Sequence, residues 1–198
     1  MLLRNLAILS IFAFFMVPNL SMAEGEAGET IDIAKAQTEA MQDQVSSLVR
    51  KLDQNEMQHF MIMYANYNVY SMVKAVGSDV GSAVDACAKN NRDMEDDLRS
   101  RFSKWEGAVG SSMKDADANI QNLALAQTYI SQSELKRLFG LVDEVRSVNS
   151  SRFETTPVTT PEACEFMMSK MDETQDNMSK LLKATLFSYP DLLKKNQK

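Results

Sequence analysis

The chain's single histidine, His59, stands among Met57, Met61 and Met63, gathering soft donor atoms into one short stretch. Imidazole and thioether together suit copper, and in helical bundles they also serve as axial ligands of haem. His59 and Met63 are four residues apart, so on a helix they share a face. A second group, Met167, Met168, Met171 and Met178, lies far along the chain. Eleven of the fourteen methionines follow residue 23, and methionine is also an adaptable filler of apolar cores. The reading adopted here is structural methionine, with no cofactor and no metal. A small-ligand, metal or haem carrier centred on His59 and Met63 is the alternative.

Covalent catalysis has little to draw on. One histidine and two widely spaced cysteines give neither a Ser–His nor a Cys–His pair any support beyond isolated residues. No glycine-rich phosphate loop, HExxH helix or nucleophile elbow occurs. The acidic run from Asp93 to Asp97 lacks the alternating oxygen ligands and turn glycine of a calcium loop, and reads as a solvated helix start. The other carboxylates fall at exposed positions of the predicted helices. The chain is expected not to be an enzyme.

Phe60, Tyr64 and Tyr67 recur at i, i+4 and i+7, on the face opposite Ile62 and Val69. Left open, such a stripe would bind a partner protein or a second copy of the chain. Folded over by residues 31–52 as a further helix, it would be core, since a helix apolar on both sides is normally buried on both sides. The stripe is taken as the candidate partner-binding surface, within the stretch from Met57 to Tyr70.

The remaining chemistry is sulfur–sulfur. Residues 1–23 read as a signal peptide: Arg4 gives the positive start, Leu6 to Val17 the apolar core, and Ser21-Met22-Ala23 the small-residue cleavage site. Export to a periplasm or out of the cell follows as the expectation. In that oxidising setting Cys87 and Cys164 read as a structural disulfide. Closing a loop of about 77 residues stabilises a fold by ~4 kcal/mol in the chain-entropy model. A formal net charge of -6 argues against nucleic-acid and anionic-membrane partners. No apolar run after the leader has the length of a membrane span.

The elements that must position these residues read as helices throughout. Residues 24–29 are expected to be disordered, with Thr30 capping a pattern of Ile31, Ala34, Met41, Val45, Leu48 and Leu52. Ile62, Val69, Val73, Val76, Val80, Ala83 and Cys87 resume that pattern in the same heptad register. Asn55, His59 and Asn66 interrupt the seam between them, and Asp53-Gln54-Asn55-Glu56 resembles a capping box. One long helix and two helices broken near Asp53 both fit.

Asn90-Asn91 marks a turn, after which a stripe runs from Met94 through Leu98, Trp105, Val109, Ala116 and Leu123 to Ile130. Ser131-Gln132-Ser133-Glu134 opens the next helix with a capping box, and Thr160-Pro161 opens the last, which Tyr189-Pro190 ends. Residues 154–160 read as a loop.

The fold expected is all-α: an up-down-up-down bundle of four long helices, clamped by one disulfide, with residues 31–52 as a fifth helix or a continuation. It forms one domain over 30–189, followed by a flexible tail at 190–198. In this bundle Cys87 and Cys164 share a level, whereas the two methionine groups do not. Trp105 falls opposite Val76 and Gly77, and Tyr70 opposite Gly110. The rival for Gly107 and Gly110 is a break in their helix. The function expected is contact with an unknown protein partner or with self, as scaffold, adaptor or self-associating bundle. An extracytoplasmic chaperone is a further alternative.

Overall fold

The chain reverses direction at Asp53. The Asp53 carboxylate accepts from the N–H groups of Asn55 (2.8 Å) and Glu56 (2.9 Å), and the Glu56 carboxylate accepts from the Asp53 N–H (3.0 Å). This reciprocal capping box ends one helix pattern and starts the next. The computed structural model describes residues 24–151 and 159–186. Its helices are α1 (Glu24–Val49), α2 (Gln54–Asn90), α3 (Glu95–Leu125), α4 (Gln132–Ser151) and α5 (Pro161–Ala184). Among the described residues there is no strand.

Residues 31–52 therefore fold back as a fifth helix rather than prolonging α2. Helix α1 is drawn from Glu24, so the stretch expected to be disordered belongs to it, and Thr30 lies inside rather than at its cap. The expected signal peptide at 1–23 and the expected tail at 190–198 lie outside the described residues, as does most of the expected 154–160 loop.

From α2 to α5 the path is up, down, up, down. Arg99 of α3 meets Asp85 of α2 (2.9 Å), and Trp105 meets Gly77, so these two helices run antiparallel across the Asn91 turn. Helix α4 rises beside the lower half of α2, and α5 descends beside the upper half of α2 and α3. Two cores result. The upper gathers Val73, Val84, Leu98, Trp105, Met171 and Leu182, and the lower gathers Leu48, Phe60, Met63, Leu123, Leu135 and Leu138.

Helix α5, shorter than α2 and α3, is fastened at both ends. Cys87 and Cys164 form the disulfide, with their Cα atoms 5.9 Å apart. Beside it the Asn91 amide donates to the carbonyls of Thr159 (2.9 Å) and Cys87 (3.1 Å). Thr160 caps α5, with Pro161 at its first position. At the lower end of α5 the Thr185 carbonyl accepts from the side-chain amides of Asn66 (3.0 Å) and Asn119. Asn66 interrupts the α2 seam because, with Asn119, it satisfies the carbonyl at a helix terminus.

Helix α3 stops at Leu125, short of the Ile130 expected to end its stripe. Ile130 is buried from the loop instead, its backbone held both ways by the Gln127 amide (2.8 and 2.9 Å). Ser131 and Glu134 then close the capping box that opens α4. Helix α5 ends at Ala184, before the Tyr189-Pro190 stop.

The glycines divide into two kinds. A Cβ at Gly77 would touch the Trp105 ring at 3.6 Å, and one at Gly81 would press on Phe102 at 3.1 Å. These two allow close helix approach. Gly107 and Gly110 sit in an unbroken α3 and face open space, so the expected Tyr70–Gly110 contact is not made. Nothing offsets their poor helix propensity. Gly107→Ala and Gly110→Ala are each expected to raise stability by up to about 1 kcal/mol in denaturant titration. A loss of stability would mean that α3 needs a bend there.

Candidate interaction site

The aromatic stripe is not a free surface. Phe60 is fully buried in the lower core, and its ring stacks against Tyr64 with centroids 6.0 Å apart. The Tyr64 hydroxyl donates to the Met41 sulfur on α1 (3.6 Å). Tyr67 stacks on Phe139 of α4 at 3.8 Å, and its hydroxyl donates to the Asp143 carboxylate (3.0 Å). Phe60 is buried, and Tyr64 and Tyr67 are half-buried against α1 and α4, which is the covered arrangement of the two that the spacing allowed. The cause is the apolar character of both sides of α2, which burial on both sides satisfies.

Asp143 centres a polar tie that the sequence reading missed. Besides Tyr67 it accepts from the Ser71 hydroxyl (2.6 Å). The Arg146 guanidinium donates in turn to the Ser71 oxygen (3.1 Å) and to the Asn68 carbonyl (3.1 Å). Phe139, Asp143 and Arg146 recur at i, i+4 and i+7, and that spacing was the available signal for an α4 face turned toward α2.

Burial, then the hydrogen bond to Asp143, pushes the Tyr67 phenol far above its ordinary range. Burial raises the neighbouring Tyr70 phenol too, helped by the charges of Asp117 and Asp143. Burial also lowers Arg146, partly offset by Asp143. Ser71 donates to a carboxylate and accepts from a guanidinium, so its hydroxyl is engaged on both sides. The arrangement holds two helices together.

His59 and Met63 are both buried in the lower half of the bundle. The imidazole meets the Tyr129 ring edge-on, with centroids 5.8 Å apart, and burial lowers its pKa so that it is neutral at pH 7. Among the described residues no three His, Cys, Asp or Glu side chains gather as a metal-ligand set. Met167, Met168, Met171 and Met178 pack in the upper core. The two methionine groups are thus separate, as their heights along the bundle implied.

The outward face of the same α2 segment is different. Gln54, Met57, Gln58 and Met61 share one stripe by their i, i+3, i+4 and i+7 spacing. With Val45, Ser46 and Val49 of α1 they line an open groove of about 700 Å³. No side chain in that lining is charged. Met57 and Met61 are 38% and 46% exposed, whereas Met63, two residues on, is at 0%. The groove exists because α1 turns Leu48 into the core and leaves Val45 and Val49 half-buried at its edge. Other exposed apolar residues, such as Leu125 and Phe166, lie outside this lining.

The Asp143 tie carries a pH signature. A phenol whose pKa is raised by folding keeps its proton after the unfolded chain, near pH 10, has lost it. Its contribution is therefore complete below about pH 10 and is lost as pH rises further. Tyr67→Phe is expected to cost about 1–3 kcal/mol at neutral pH, because Asp143 loses a donor. Denaturation at pH 9 and pH 11 should show a smaller alkaline loss in the variant than in the wild type. Equal losses would contradict the assignment.

No protein-family model, no curated protein and no solved structure matches the chain.

Proposed function

We propose that the protein is an exported, non-catalytic helical bundle that acts by contact with another protein chain or with a copy of itself. The contact surface is the α1–α2 groove, which takes over the role first given to Phe60, Tyr64 and Tyr67. The observation that carries this reading is an open, uncharged groove lining in which Met57 and Met61 are substantially exposed. Methionine is flexible and polarisable, so a groove built from it repacks around an apolar partner surface. An antiparallel helix pair with an open seam between its members suits the helix-in-groove mode of recognition.

The leader at residues 1–23 and the disulfide support export. His59 packs against Tyr129, while Ser71 and Tyr67 bind Asp143 and fasten α2 to α4.

The test is affinity capture from the native envelope or secretome, with wild type and Met61→Asp compared. Placing a carboxylate in the apolar contact should reduce recovery of the bound chain at least tenfold, equivalent to about 1.4 kcal/mol. Helical circular dichroism should stay unchanged, since Met61 is at the surface. Identical capture by both proteins, or by neither, would overturn the reading.

A further inference from the structure

We infer that Met57 and Met61 form a reversible oxidation site, at which a peroxide-class oxidant turns the groove lining from apolar to polar. The effect on a partner rests on the contact reading above; the oxidation itself does not. Eleven methionines follow residue 23. Met57 and Met61 are exposed, and both line the α1–α2 groove. Every other one of the eleven packs in the upper or the lower core. Met63 is fully buried, and Met41 receives the Tyr64 hydroxyl on its sulfur. An oxidant arriving from water therefore meets two thioethers, set at i and i+4 on one face of α2.

The step balances with the peroxide alone. The sulfur lone pair takes one oxygen atom as the O–O bond breaks; the sulfur is oxidised by two electrons, and water leaves. Two thiols of a reductase reverse it, becoming a disulfide as the sulfoxide oxygen departs as water. This chain is not its own reductant, since Cys87 and Cys164 are already joined.

The groove suits the product as well. Gln54 precedes Met57 by three residues and Gln58 precedes Met61 by three, so each methionine has an amide on its own face of α2. Those amide N–H groups can donate to a sulfoxide oxygen. No carboxylate lines the groove to repel it. Neither core loses a side chain, so the bundle keeps its fold in both states. The surface is what changes. A polar sulfoxide replaces a flexible apolar end, and an apolar partner covering it must strip water from it.

Timed hydrogen peroxide treatment of the full chain with its disulfide intact, followed by peptide mass, tests this. Met57 and Met61 should oxidise roughly tenfold faster than Met63 and Met171, or more, with helical circular dichroism unchanged. Methionine sulfoxide reductase should then restore the original mass. Oxidised wild type should recover about tenfold less of the captured chain than untreated protein. Met57→Leu/Met61→Leu keeps the apolar lining without its sulfurs and should capture equally before and after treatment. Equal oxidation rates across the four methionines, helix lost along with the oxidation, or a product that the reductase does not restore overturns the inference. Selective oxidation that leaves capture intact, while Met61→Asp reduces it, overturns the switch and leaves the contact reading standing. Untreated protein that captures nothing sinks the contact reading and the switch with it, whereas selective, reversible oxidation would still establish the site.

Discussion

The reversal at Asp53 is the constraint on which the lower half of the molecule depends. A capping box contributes about 1 kcal/mol, enough to choose where the helix breaks but not where the released segment goes. Burial decides that. Each large apolar side chain moved out of water contributes about 1.5–3 kcal/mol, and Leu48 and Phe60 are both buried once α1 lies back along the bundle. The same motion covers Tyr64 with Met41 and leaves the α1–α2 seam open on its outer side. The covered aromatic stripe and the exposed methionine groove are two consequences of one reversal.

The upper half is held by a different device. Helices α4 and α5 each span only part of the height of α2, so neither could complete the bundle alone. The disulfide and Asn91 fasten the start of α5, and Asn66 and Asn119 hold its end. Helix α4 is fastened sideways to α2 through Asp143. Dividing the bundle in this way keeps the buried methionines of the upper core apart from Met63 below. It also leaves the groove at the edge of the lower core, against which its Val45 and Val49 pack.

Much of this was legible where a local signal agreed with a distant one. Cys87 lies just before a turn signal and Cys164 just after a Thr-Pro helix start, so level-counting alone joins them. Gly77 against Trp105 followed from the same counting. The break at Asp53 was ambiguous because heptad register continues through it, and a weak capping box competes there with an unbroken apolar seam. Asp143 was missed because an acidic residue in an amphipathic helix defaults to the solvent face. Only its partners Tyr67 and Ser71, far away in sequence, reverse that default. Asn66 is similar, since its value comes from the end of a helix more than a hundred residues on. Gly110 failed for another reason: height along an axis was right, but height alone says nothing about which way a face points.

The account therefore stands on α1 lying alongside the bundle. Spin labels at Lys35 and Lys74, both exposed, report this directly by pulsed dipolar spectroscopy on the disulfide-bonded protein. A folded-back α1 places these positions at nearly the same height and gives a separation below about 30 Å, whereas one continuous helix would hold them roughly 58 Å apart at 1.5 Å per residue. A narrow distribution at the short distance is the expected result. A dominant population near the long one would contradict it, and the groove with it.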